Sequence, residues 1–264
     1  LHIQFHKYHG TGNDFILVDG RESPALLSTL TIEVVKKLCD RHFGIGADGL
    51  IVLNNHDDLD FEMVYYNADG RQSSMCGNGG RCIARFAYNL GLIATDCQFL
   101  AVDGPHEAKV DPSTDLVSLK MKNVTSFKQL DEDTVLDTGS PHYVRFVGDI
   151  MAPGFVEMAR GIRNRDAFAR KGINVNFAER QDGKLTLRTY ERGVEDETLS
   201  CGTGVVATAI AAHIKGLLSE PRAMLHARGG TLEVTFDPDK EHYRNVWLKG
   251  EAKHVYEGKI SVPL

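Results

Sequence analysis

The chain has 264 residues, 42% apolar and 25% charged, which are ordinary globular values that argue against disorder. At roughly 150 residues per domain, that length fits two modest domains or one large one. The formal net charge of −6 argues against a nucleic-acid surface or an anionic membrane patch, because both need clustered Lys and Arg. No apolar run approaches the roughly 18 residues of a membrane span. Residues Leu1 to Phe5 also lack the basic and apolar regions of a signal peptide. The expectation is a cytoplasmic protein with neither nucleic-acid nor membrane partners.

In chain order, strand-like runs fall at 3–7 and 15–19, followed by a helix over 31–42 that Gly44 ends. Strands follow at 50–53 and 61–66, then a helix over 80–90 that stops at Gly91. Further strands fall at 98–102, 107–110, 116–121 and 143–147, and a helix at 155–163. The last third holds a strand at 185–190, a helix over 204–215 and strands at 223–227, 231–236 and 246–249. The helix over 204–215 is almost entirely Ala, Val and Ile, so it is expected to be buried on most sides.

Five cysteines, Cys39, Cys76, Cys82, Cys97 and Cys201, in a chain without a signal sequence point to free thiols rather than a disulfide framework. No CxxC pair exists, so a structural zinc site is not expected, and no metal-ligand cluster is visible. Cys39, Cys82 and Cys97 read as core.

The other two cysteines belong to a repeat. Cys76-Gly77-Asn78-Gly79 recurs as Cys201-Gly202-Thr203-Gly204, and in each copy the following helix stops at a glycine twelve residues on, Gly91 and Gly216. A further glycine lies 28 residues past each Cys, at Gly104 and Gly229. Tyr66-Asn67-Ala68-Asp69-Gly70 precedes the first Cys as Tyr190-Glu191-Arg192-Gly193 precedes the second. Further upstream, Gly12-Asn13-Asp14-Phe15 is matched by Gly139-Ser140-Pro141-His142. The chain therefore reads as two homologous halves joined near 123–131.

Each motif puts a Cys at a helix N-terminus, where first-turn N–H groups and the helix dipole favour thiolate. The adjacent glycines let the backbone approach a carboxylate closely. Two such halves are expected to present their motifs to one another across a cleft. A thiolate could then remove an α-proton from one face of a carbon while a thiol delivers one to the other face. Taken singly, His142 reads as a turn residue after Pro141, Glu191 as a solvated charge at a strand end, and Asn13 and Asn67 as turn residues.

These motifs, with Arg41 to Gly49, Gly172-Ile173-Asn174-Val175-Asn176-Phe177 and Glu197-Thr198-Leu199-Ser200, resemble the diaminopimelate epimerase family nearly end to end. The resemblance implies an α+β fold of two pseudo-symmetric domains, each a mixed β-sheet rolled into a barrel around a central helix. The domains would be 1–122 with 253–264, carrying Cys76, and 123–252, carrying Cys201. It implies an epimerase that needs no cofactor and no metal, with Cys76 and Cys201 as acid and base. His142 would assist Cys76, and Glu191 would assist Cys201. Gly77, Asn78, Gly202 and Thr203 would bind the reacting carboxylate, and Asn13, Asn67, Asn174, Glu191 and Arg192 the rest of the substrate. The implied reaction interconverts LL- and meso-diaminopimelate in lysine and peptidoglycan precursor biosynthesis, and the implied assembly is a homodimer. Two departures bear on recognition: Ser140 stands where the family often carries Asn, and Gly49 where some members carry Gln.

Three other readings compete. A proline or hydroxyproline isomerase with two cysteines would share the architecture. A Cys–His hydrolase using Cys76 and His142 would make Cys201 dispensable. A thiol-redox or binding module would exchange no α-proton.

Overall fold

The structure, a computed structural model, describes residues 2–23, 25–73 and 75–261. The elements run β1 (His2–Gly10), β2 (Asn13–Asp19), α1 (Leu26–Thr29), α2 (Ile32–Cys39), β3 (Gly49–Asn54), β4 (Phe61–Asn67), α3 (Gly77–Asn89), β5 (Asp96–Ala101), β6 (Gly104–Val110) and β7 (Leu116–Lys120). They continue with β8 (Phe127–Leu130), β9 (Asp133–Asp137), β10 (Pro141–Phe146), α4 (Phe155–Arg163), α5 (Asp166–Ala169), β11 (Asn174–Gln181), β12 (Lys184–Glu191) and β13 (Asp196–Thr198). The chain closes with α6 (Gly202–Ile214), β14 (Arg222–Ala227), β15 (Gly230–Asp239), β16 (His242–Glu251) and β17 (Lys253–Ser261). Two compact units result: one runs up to Leu119 and resumes at Gly250, and the other spans Lys120–Lys249. Residues 1 and 262–264, which the sequence reading assigns to the first domain, lie outside the described residues.

In the first unit the strand order is β17-β1-β2-β3-β4-β5-β6-β7, and the successive pairings are antiparallel, antiparallel, parallel, antiparallel, parallel, antiparallel and antiparallel. In the second, the order β8-β9-β10-β11-β12-β14-β15-β16 has the same seven pairing senses. The short β13 is added beside β12. The repeat first visible as two Cys-Gly-x-Gly motifs is thus a repeat of the whole topology.

Each mixed sheet curls around one helix. α3 packs against β1, β2, β3, β6 and β17, and α6 against β9, β10, β11, β12, β14 and β15. The second face of the first sheet is covered where Val35, Leu38 and Cys39 of α2 meet Ile16, Val18, Leu50, Val52 and Val64. Strands covered on both faces become continuous apolar runs, and Leu50 to Leu53 is one. In the second unit Phe155, Ala159 and Ile162 of α4 do the same against Tyr143, Val175 and Phe177. Buried Val205, Val206, Ala207, Ala209, Ile210, Ala211 and Ala212 confirm α6 as an enclosed helix.

Two local expectations need correction. The helix expected from residue 80 starts at Gly77, because its glycines are there for close packing rather than as helix breakers. A Cβ at Gly79 would lie 3.1 Å from Ile51, and one at Gly80 would lie 2.8 Å from the Met75 sulfur. The stretch read as a linker, 123–131, is structured. Val124 bridges to Tyr243, and Phe127–Leu130 form β8, which pairs with β9, a second strand that the sequence pattern does not mark.

Candidate active site

Cys76 is the N-cap of α3, in extended backbone (φ −91°, ψ 131°), so its sulfur sits beside the helix's first turn. The first-turn N–H groups of any helix have no carbonyl four residues back, which makes this end a natural anion seat. The β1–β2 hairpin turns through Thr11 and Gly12, both with positive φ, and so brings Asn13 to the same place. Asn13 Oδ1 lies 3.6 Å from Cys76 Sγ and accepts from Asn78 Nδ2 at 3.2 Å.

Charged residues the sequence reading did not single out hold this arrangement. Asn13 Nδ2 donates to Asp48 at 2.6 Å, and Arg41 bridges Asp48 and Asp14 at 2.7 Å each. Lys7, almost buried, pairs with Asp14 at 2.7 Å and also donates to the Gly46 carbonyl. Burial alone would raise the Asp14 carboxyl, but Arg41 and Lys7 outweigh it and hold the group well below the usual carboxylate range. Arg81 is fully buried and donates to Asn78 Oδ1 at 2.8 Å and to Thr11 at 3.2 Å. A lone Arg between Gly80 and the apolar Cys82-Ile83-Ala84, on a helix read as packed, is the signal that finds it. Asn67 ends β4, and its backbone closes the turn to Arg71.

The second unit repeats the cap with different partners. Cys201 is the N-cap of α6, with its sulfur 3.4 Å from Thr203 Oγ1. Thr203 Oγ1 lies 2.9 Å from His142 Nε2, and the Thr203 carbonyl accepts from Thr138 at 2.8 Å. His142 is therefore a buried strand residue of β10 rather than a turn residue. Where the family resemblance pairs it with Cys76, its hydrogen bonds in this unit run through Thr203 toward Cys201. Burial, with a smaller contribution from Arg192, drives its pKa down to about 3, against an opposing pull from Asp137, so the imidazole is neutral.

The parallel β10–β11 register sets His142 beside Asn174. Asn174 Oδ1 accepts from the Arg192 backbone N–H at 2.9 Å, and its Nδ2 donates to Ser140 Oγ at 3.0 Å. Arg192 Nη2 reaches the same hydroxyl at 3.3 Å, and its Nη1 donates to the Lys171 carbonyl at 2.8 Å. Glu191 closes β12, opposite Asp196 in the β12–β13 register. Asn176, in the sequence visible only as part of the 172–177 motif, is fully buried and bonds the other side of the His142 ring at 2.9 Å.

The remaining cysteines behave as core. Burial pushes Cys39 and Cys97 up to about 12 and Cys82 still higher, so none of the three is a nucleophile at neutral pH. All five are free thiols. Among the described residues one trio of metal-ligand side chains converges, His6, His254 and Glu257, with donor atoms within 4.8 Å of one another. It lies on the β1–β17 ladder and includes neither motif cysteine, and the sequence distance between His6 and His254 hid it from spacing arguments.

Comparison with known proteins covers nearly the whole chain. The family described as diaminopimelate epimerase matches residues 5–126 and again 134–255, one match per half. The diaminopimelate epimerase of Flavobacterium psychrophilum is 45% identical over 259 residues, covering 98% of this chain and 100% of the relative. That of Aquifex aeolicus is 36% identical over 276 residues, covering 98% of each. Among solved structures, a phenazine biosynthesis protein of the PhzF family from Bacillus anthracis aligns with a TM-score of 0.73 at 14% identity, over 99% of this chain and 100% of that one. A hydroxyproline epimerase from Agrobacterium vitis aligns with a TM-score of 0.68 at 16% identity, over 98% and 92%. At those identities the structural likeness speaks for the fold alone.

Proposed function

Because the chain belongs to the diaminopimelate epimerase family, we propose that Cys76 and Cys201 are the acid and base with which it interconverts LL- and meso-diaminopimelate. The observation that carries this reading is the duplicated cap. Each topologically equivalent unit places one cysteine at the N-terminus of its enclosed helix.

Inversion at an α-carbon needs one group to take a proton and another to supply one on the opposite face. One sulfur, as thiolate, takes the α-proton. The C–H electron pair moves toward the carboxylate, and the other sulfur, as thiol, donates its proton to the far side of the carbon. Reversal exchanges the roles. Charge developing on the carboxylate is stabilised by first-turn N–H groups at Gly77-Asn78 and Gly202-Thr203. The stabilisation invoked here comes from helix ends rather than from a pyridoxal cofactor. Asn13, Asn67, Asn174 and Arg192, with Glu191, take the ammonium and carboxylate groups of the rest of the substrate, which amides and a guanidinium suit. His142 and Glu191 assist proton movement. The product places the enzyme in lysine and peptidoglycan precursor biosynthesis.

The proline-type alternative is not favoured, because the relatives at 36–45% identity are diaminopimelate epimerases. No helix among the described residues is long and apolar enough to cross a membrane. A cytoplasmic homodimer is the proposed working form, and the family resemblance supports it. Chromatographic separation of the diaminopimelate isomers tests the activity. The wild type should convert LL to meso while Cys76→Ala and Cys201→Ala do not, and conversion of proline isomers instead would overturn the assignment.

A further inference from the structure

A residue with no part in the reaction as drawn fixes the hydrogen-bond directions behind Cys201. The Asn176 amide is oriented at both ends. Its Oδ1 accepts from Thr189 Oγ1 at 2.8 Å, and its Nδ2 faces the Tyr143 carbonyl at 3.4 Å. A carbonyl can only accept, so the nitrogen is the donor, and the same NH2 group meets His142 Nδ1 at 2.9 Å. Nδ1 therefore accepts, and a neutral imidazole must then carry its proton on Nε2. Asn174 Nδ2, whose other hydrogen goes to Ser140 at 3.0 Å, would favour the other tautomer, but at 3.3 Å from Nε2 it makes the longer contact. The 2.9 Å bond from Asn176 decides. The charged groups acting on the ring are Asp137 and Arg192, in opposite senses.

We propose that Asn176 is a positioning residue for Cys201: it holds His142 as the Nε2–H tautomer, which turns the Thr203 hydroxyl proton toward the Cys201 sulfur. His142 Nε2–H donates to Thr203 Oγ1 across 2.9 Å, leaving that hydroxyl's own hydrogen for Sγ at 3.4 Å. A hydrogen bond donated to sulfur favours thiolate over thiol. The tautomer is set in the resting protein, and the proton Cys201 gains or gives up in the reaction is the substrate's. The packing is tight enough to enforce this: a Cβ at Gly204 would lie 2.5 Å from Asn176 Oδ1 and 3.3 Å from His142 Cε1. This inference deepens the two-cysteine reading and rests on it for its catalytic meaning.

Two measurements on the full chain, without substrate, test it. Nitrogen-labelled histidine NMR of the wild type should show His142 neutral and protonated on Nε2. In a Cys76→Ala background, the ultraviolet thiolate band of Cys201 should appear about one pH unit higher in Asn176→Leu and in Thr203→Val, which is about tenfold less thiolate at a fixed pH below it. Thr203→Ser should restore the wild-type position, which a purely structural role for the hydroxyl would not require. The three core cysteines stay thiols in that range because burial raises them. An Nδ1–H ring in the wild type, or a thiolate band that both substitutions leave in place, would overturn the inference. The tautomer is read on the wild type, so a variant that fails to fold leaves the test standing. A protein with the expected tautomer and band shift but no epimerisation would contradict the functional reading alone.

Discussion

The amide nitrogen of Asn13 donates to Asp48 at 2.6 Å, and that bond turns the amide oxygen, not the nitrogen, toward Cys76 Sγ. An oxygen acceptor beside a sulfur favours the thiol, which can donate to it. The Asp48–Asn13 pair therefore fixes which amide atom meets the Cys76 sulfur. Asp48→Ala frees the amide to flip, and we expect kcat/KM to fall about tenfold, roughly the loss of one charge-assisted hydrogen bond. Steady-state kinetics check this, and an unchanged kcat/KM would remove Asn13 orientation from the account.

Acid should weaken the fold through two groups whose folded pKa values are both depressed. Asp14 is held ionised by Arg41 and Lys7 against its own burial, so its contribution is present above its unfolded pKa and is lost as pH falls toward the depressed folded value. His142, neutral when folded and driven down to about 3 by burial, binds a proton first in the unfolded chain. Stability from it is full above the ordinary histidine range and declines from there toward pH 3. Denaturant midpoints measured against pH should fall below pH 6.5, and less steeply in His142→Asn. Equal slopes in the two proteins would show that His142 is not the titrating group.

Ser140 Oγ accepts from both Asn174 Nδ2 and Arg192 Nη2, which makes it a hub between two proposed substrate-binding side chains. The expectation that Ser140 alters recognition thus gains a mechanism: the hydroxyl orients other residues. Ser140→Ala should raise KM for diaminopimelate about five- to tenfold, the usual net worth of a hydrogen bond, with a smaller effect on kcat. A loss confined to kcat would place Ser140 in the chemical step instead.

The repeat was legible in the sequence because close backbone approach and a helix start both demand particular residues, and Cys-Gly-x-Gly records both demands twice. α4 is legible at its observed bounds from Phe155, Ala159 and Ile162 on one face, and α6 as enclosed because it is almost entirely Ala, Val and Ile. β11 is not legible in the sequence for a physical reason. Its buried start carries Asn174 and Asn176, poor strand formers that are buried because they bond His142, Ser140 and Arg192. His142 and Arg81 are hidden on the same ground. A polar residue reads as solvated until the partners that satisfy it, distant in sequence, are brought alongside. Lys7, Asp14, Arg41 and Asp48 form such a group, scattered over some forty positions and gathered at Asn13 by β1, β2 and the segment leading into β3.

The central claim is that two cysteines exchange an α-proton on opposite faces of diaminopimelate. The most direct measurement is NMR of LL-diaminopimelate in heavy water with fully reduced protein and no added cofactor. The account predicts that deuterium appears at the α-carbon as the meso isomer forms, and that neither Cys76→Ala nor Cys201→Ala produces inverted product. Inversion without solvent deuterium, or inversion by either single-cysteine variant at the wild-type rate, would contradict it.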